Sequence, residues 1–163
     1  MAGVTLLGRR FCQLAYITND FDRALAEIGA RGTMSSFIEL RDTAIATGPG
    51  AEARCHVGLA MAGGLQIEII EARGGQDELF REGLSGKQFR VRFHHAAQAV
   101  KSPESFEALQ HAAEKQGFAI PGAGTSPGGI RYFYADLRAL LGHYMEYAWC
   151  PPGALETLFH SMT

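Results

Sequence analysis

Four side chains that can hold a divalent cation stand at repeated positions: Gln13, Glu68, His95 and Glu146. Gly64-Leu65-Gln66-Ile67-Glu68 recurs as Gly142-His143-Tyr144-Met145-Glu146, and an apolar run precedes each copy. Gln13 sits in the first run and His95 in the second. Glu68 follows Gln13 by 55 residues, and Glu146 follows His95 by 51. Each half thus offers a neutral ligand early and a carboxylate late. One imidazole, one amide oxygen and two carboxylates would accept zinc, nickel, cobalt or manganese. Singly, each residue has a plainer reading: a satisfied buried amide, a structural histidine, exposed strand carboxylates. The matched repetition favours one shared site over four coincidences. Without a metal, two buried carboxylates would need donors such as Arg92, Arg131 or Tyr144, or would stay protonated.

These residues need elements to position them. Phe11 to Ile17 reads as a buried strand, and Asn19-Asp20 is a helix start. Phe21, Leu25 and Ile28 recur at helical spacing. Phe37 to Leu40 is a short strand, Thr47 to Gly50 a turn, and Arg54 to Met61 and Leu65 to Ala72 a hairpin. Arg73 to Gly86 is a polar linker with one helical turn near Leu79 and Phe80. Phe89 to Val100 is a long strand, and Ser102-Pro103 opens a second helix. Phe118 to Ile120 is a short strand. Pro121 to Gly129 is a loop, long enough to serve as a lid. Ile130 to Leu137 and Tyr144 to Cys150 are the last strands, with a terminal helix at 155–159.

The chain is therefore expected to be α+β, with two βαβββ modules forming an eight-stranded cup-shaped sheet. Module one covers about residues 9–72, the linker 73–86, module two 87–150 and a tail 151–163, all within a single domain. Strand alternation puts Gln13, Glu68, His95 and Glu146 on the concave face, beside the small residues Ala15, Ala97 and Ala148. A register slip of one would replace His95 by His94. Tyr144, Phe37 and Tyr132 are the expected aromatic lining of a substrate pocket. Arg131 is read either as the surface partner of Asp136 or as the binder of a substrate carboxylate.

The 163 residues carry a formal net charge of -2 and are 47% hydrophobic. No basic stripe suggests nucleic acid, and no apolar run suggests a membrane span. The three cysteines, Cys12, Cys55 and Cys150, are far apart and read as reduced thiols, so a cytoplasmic location is the default expectation.

Four segments resemble the vicinal oxygen chelate superfamily, the group of glyoxalases, epimerases, extradiol dioxygenases and antibiotic-binding proteins. They are Gln13 to Asp20, Gln66 to Glu71, His94 to Val100 and Leu141 to Tyr147. The resemblance spans about residues 9–150. It implies Gln13, Glu68, His95 and Glu146 as metal ligands, with Glu146 as catalytic base and Glu68 as its opposite number. The Gln-Glu-His-Glu set is similar to that of eukaryotic-type glyoxalase I. Epimerases of the superfamily have His at the position of Gln13 and Gln at that of Glu68. Extradiol dioxygenases need His at the position of Gln13. Glutathione-using members carry arginines where this chain has Ile17 and Val91.

The resemblance implies proton transfer beside a carbonyl of a small molecule, by a metal-dependent lyase or isomerase that is glyoxalase-like without glutathione specificity. The alternatives are a metal-free protein that sequesters a small ligand, and an acyl-CoA epimerase. The epimerase reading is weakened by the lack of a basic cluster for the coenzyme's phosphates. A homodimer is the expected assembly.

Overall fold

The computed structural model describes residues 5–32 and 34–154. The helix expected at 155–159 lies outside the described residues. Module one runs β1 (Phe11–Thr18), α1 (Phe21–Gly29), β2 (Ser35–Gly48), β3 (Ala51–Ala62) and β4 (Leu65–Gly75). A 3₁₀ turn at Glu78–Phe80 lies in the connection. Module two runs β5 (Val91–Val100), α2 (Pro103–Lys115), β6 (Gly122–Thr125), β7 (Arg131–Asp136), α3 (Arg138–Leu141) and β8 (Tyr144–Trp149).

The eight strands form one sheet in the order β2-β3-β4-β1-β5-β8-β7-β6. Within each module the first and last strands pair in parallel, β1 with β4 and β5 with β8. The modules meet through the antiparallel pair β1 and β5, so the two repeats join within one chain. The sheet is nearly closed, because the edge strands β2 and β6 come into contact.

The helices form where capping and apolar spacing predict. Asp20 Oδ1 accepts from the Arg23 amide at 3.1 Å, and Ser102 Oγ accepts from the Ser105 amide at 3.2 Å. Each such cap contributes roughly 1 kcal/mol. Helix α1 buries Phe21 and Ala24 against Ile67 and Ile69 of β4. Helix α2 buries Phe106, Leu109 and Ala113 against Ala96, Val100, Met145 and Tyr147. Both helices thus cover the outer face of the sheet and leave its inner face to the site.

Three elements differ from the expectation. Strand β2 is 14 residues long rather than four. Ser36 and Asp42 have positive φ, and the ladder with β3 shifts register near both, as bulges do. Residues 118–120 are not a strand. Strand β6 lies instead inside the expected Pro121 to Gly129 loop, paired antiparallel with β7. The linker is not a plain solvent connector either. Its Phe80 and Leu84 enter the cup and pack with Ile17, Val57, Ile70, Tyr132 and Tyr134.

Glycine at 124 is what lets β6 approach β2. A Cβ there would collide with the Ala46 side chain and come within 2.8 Å of the Tyr132 hydroxyl. Gly124→Val is expected to destabilise the fold by about 1–3 kcal/mol, read by denaturant unfolding. Unchanged stability would contradict a packed contact between β2 and β6.

Candidate functional site

The repeated glycines explain the repeated glutamates. Gly64 has φ +83 and Gly142 has φ +81, a left-handed conformation that favours glycine. Each turns the chain into the last strand of its module. The glutamate four residues later is then two full alternations along. Cross-strand register puts Glu68 opposite Ala15, and Glu146 opposite Ala97 and Tyr134.

Gln13, Glu68, His95 and Glu146 are brought together inside the cup. The fully buried His95 is the centre. Its Nε2 lies 2.7 Å from Glu146 Oε2, 3.5 Å from Glu68 Oε2 and 3.3 Å from Gln13 Oε1. Gln13 is oriented by its own amide, which donates from Nε2 to Gln66 Oε1 at 2.7 Å. Tyr134 closes one side, its ring centroid 5.0 Å from that of His95. Among the described residues, no group of three or more His, Cys, Asp and Glu is arranged to hold a metal ion. The contact between His95 and Glu146 is the shortest of the three, at 2.7 Å.

Burial dominates the electrostatics. Glu146 is pushed up to about 8 by loss of solvent. Glu68 rises to about 8 for the same reason, reinforced by the neighbouring charge of Glu146. Loss of solvent pushes His95 down to about 3, and His94 likewise, with help from His95. Burial penalises every charged form. The His95–Glu146 contact is therefore a close approach of two groups whose charged forms burial disfavours.

The choice between His94 and His95 dissolves in a β-bulge. Ala15 pairs with His95, but the next residue, Tyr16, pairs with Phe93, so His94 is an extra residue on β5. A bulge turns successive side chains to one side. Both imidazoles are buried, with His94 Nδ1 2.8 Å from His95 Nδ1. The bulge also resets the parity of what precedes it. Arg92 pairs with Ile17, whose side chain belongs to the cup interior, so Arg92 shares the inner face. Strict alternation would have turned it away. The Arg92 guanidinium packs on Gly83.

The other expected pocket residues scatter. Tyr144 is buried in the cup wall and donates to Glu82 Oε2 at 2.8 Å. Burial and that bond raise its pKa. Tyr132 donates to the Ala46 carbonyl at 2.8 Å, across the contact between β7 and β2. Phe37 is 51% exposed and lines a cavity of about 310 Å³ with Leu25, Ile28, Ile67 and Ile69. Ile67 and Ile69 alternate with Glu68, so this cavity lies on the opposite face of β4 from the polar cluster. Arg131 stacks on Phe106 and bonds Glu107 at 3.4 Å. The expected pairing with Asp136 does not form, because Asp136 binds Arg138.

Sequence reasoning did not single out Gln66, Tyr134 or the Leu79 carbonyl. Gln66 and Tyr134 share strand parity with Glu68 and Tyr132, which was the available signal. Two arginines of the linker also line a cleft, each paired with a carboxylate: Arg73 with Glu71 at 3.2 Å and Arg81 with Asp77 at 2.6 Å. Thr18, Asn19, Glu71, Arg73, Arg81 and Leu84 line a cleft of about 510 Å³. Arg90 reaches the carbonyl of Gly83 at 3.4 Å, beside Arg92. Arg90 and Arg92 thus both meet the linker at Gly83.

No protein-family profile matches the chain, and no curated protein matches it. Solved structures do. Methylmalonyl-CoA epimerase from Mycobacterium tuberculosis matches at 14% identity and a TM-score of 0.60, over 96% of this chain and 97% of that one. A protein from Bacillus halodurans matches at 15% identity and a TM-score of 0.61, over 89% and 96%. Streptomyces coelicolor methylmalonyl-CoA epimerase in complex with 2-nitronate-propionyl-CoA matches at 12% identity and a TM-score of 0.56, over 87% and 97%. The fold of this chain is the βαβββ fold of the vicinal oxygen chelate, or glyoxalase-like, superfamily.

Proposed function

We propose that the protein is a metal-dependent epimerase that moves a proton on and off the carbon next to an acyl thioester carbonyl. The observation that carries this reading is the crowding of three acceptor oxygens around one ring nitrogen. Gln13 Oε1, Glu68 Oε2 and Glu146 Oε2 all lie within 3.5 Å of His95 Nε2. A single proton serves only one of them, whereas a cation serves all four. Donors bound at about 2.0–2.2 Å to a tetrahedral or octahedral ion sit roughly 3.0–3.5 Å apart, the spacing of His95 Nε2 from Gln13 and Glu68. Such an ion would be held by Gln13, Glu68, His95 and Glu146, and would supply positive charge beside the carbonyl oxygen as the α-proton leaves. Zinc, nickel, cobalt and manganese all suit this donor set.

The protein's own groups handle the proton. Glu68 from β4 and Glu146 from β8 approach from opposite modules. Glu146 as carboxylate takes the α-proton from one face, and Glu68 as acid returns one to the other. Tyr134 and the apolar cup exclude water. The epimerases that share the fold support this over the lyase reading.

Protein purified without chelator and reloaded with cobalt is expected to bind about one equivalent. Offered a 2-methyl-branched acyl-CoA in deuterium oxide, it is expected to exchange one α-hydrogen, read by mass spectrometry. Metal binding without exchange would sink the substrate class. Failure to bind metal after reloading would sink the enzyme and favour a metal-free binding role.

A further inference from the structure

We propose that the linker between the modules is the floor of the binding cup, with Phe80 setting the depth open to the acyl end of a ligand. The ligand enters at the opposite mouth, beside Gln13, Gln66 and Ala148, and its bulky carrier stays outside. This rests on the thioester reading for the identity of the ligand alone.

Burial along the strands separates the two mouths. The inward residues of β4 pass from partly exposed Gln66 and Glu68 to fully buried Ile70. On β1, partly exposed Gln13 gives way to buried Ala15 and Ile17. Strand β8 runs the other way, from buried Tyr144 and Glu146 to partly exposed Ala148 and, just past its end, Cys150. Register puts Gln13 beside Gln66 and Ile17 beside Ile70. It also puts Ala97, the β5 partner of Gln13, beside Glu146. The three gradients therefore point the same way. The cup is open at the Gln13 end and stopped at the Ile17 end.

The linker is what stops it. Phe80 and Leu84 pack there against Ile17, Val57 and Ile70. The Phe80 ring lies 5.4 Å from that of His94 and 6.3 Å from that of Tyr134. Both of those rings adjoin His95, so Phe80 is one ring removed from the polar centre. The floor is fastened on several sides. The Leu79 carbonyl lies 2.9 Å from His94 Nε2. Arg81 donates to Asp77 at 2.6 Å, and Glu82 accepts from Tyr144 at 2.8 Å and pairs with Arg138. A side chain at Gly83 would collide with the Arg92 guanidinium. An apolar, close-packed floor suits an alkyl group and limits its length. In such a pocket one methylene changes discrimination by roughly 10–200-fold.

The chain's own thiols report the two mouths. Cys55 is fully buried in one cluster with Phe80 and Leu84, whereas Cys150 is partly exposed. Native protein treated with N-ethylmaleimide and mapped by mass spectrometry is expected to label Cys150 and spare Cys55. Phe80→Ala is expected to speed labelling of Cys55. Leu109→Ala, which loosens the core under α2 instead, is not. Across 2-methyl-branched acyl-CoA substrates of rising length, Phe80→Ala is expected to shift kcat/KM toward longer chains by roughly tenfold or more. Cys55 labelled as fast as Cys150 in wild type would overturn the proposal. So would equal labelling of Cys55 in the two variants, or an unchanged length preference in active Phe80→Ala protein. If Phe80→Ala does not fold, Phe80→Leu makes the same comparisons with a smaller cavity. If no thioester is turned over, the epimerase reading fails, while the thiols still decide whether the linker is the floor.

Discussion

In Glu146→Gln protein, turnover of an epimerisable thioester is expected to fall by roughly 10²–10⁴-fold, the usual contribution of a positioned acid or base. The substitution keeps the size of the side chain, so the fold should persist. It removes the negative charge and the basicity together, and cobalt affinity should fall with activity. The variant should also be more stable than metal-free wild type at pH 8. A carboxyl that burial lifts to about 8 is increasingly forced to ionise out of water there, and an amide is not. Activity retained within threefold would remove Glu146 from the chemistry. Lost activity with lowered stability at pH 8 would mean that the charge is compensated by a partner.

The second large effect is the pH dependence of stability and its reversal by metal. Glu68 and Glu146 titrate near 4.5 unfolded and near 8 folded. The stability from that difference is fully present below pH 4.5 and is lost as pH rises through 8. His94 and His95 run the other way, from 6.5 unfolded to about 3 folded. Their contribution is fully present above pH 6.5 and is lost as pH falls toward 3. The metal-free chain is thus most stable at about pH 5–6, and by pH 8 it has lost on the order of a few kcal/mol. On the proposed reading, a bound metal would take the place of the protons and stabilise only the folded state. Melting temperatures of stripped and cobalt-loaded protein at pH 5.5 and 8 read this directly. The stripped protein should melt lower at pH 8, and the shift on loading should be larger there. A stripped protein that melts higher at pH 8 would show that the carboxyls are not held out of water.

Much of this architecture could be read from local pattern. The Gly-x-x-x-Glu repeat encodes a left-handed turn into a strand, followed by an inward carboxylate. Asp20 and Ser102 mark helix starts by their short side chains. The features that escaped depend on partners distant in sequence. Nothing in Phe93-His94-His95 announces an extra residue, because a bulge is a mismatch with β1 and exists only once the ladder forms. Strand β6 escaped because Gly122-Ala123-Gly124-Thr125 lacks the β-branched alternation of a strand. Its glycines answer to Leu79, Tyr134 and Ala46, all remote in the chain. Phe37 was placed by residue type, whereas the face it occupies was set by the bulges of β2. The arginines around Gly83 looked unrelated because the linker that gathers them read as polar and open.

The closure of the sheet also sets the order in which it can come apart. Seven of its boundaries are ladders of backbone hydrogen bonds, and a ladder opens only when many bonds break together. Between β2 and β6 the described residues supply packing and the reach of Tyr132 to Ala46. That boundary opens one contact at a time. Strands β1 and β5, which carry Gln13 and His95, stand in the middle of the strand order, farthest from it. The molecule therefore loosens along one line while the strands that hold its polar centre are the last to part.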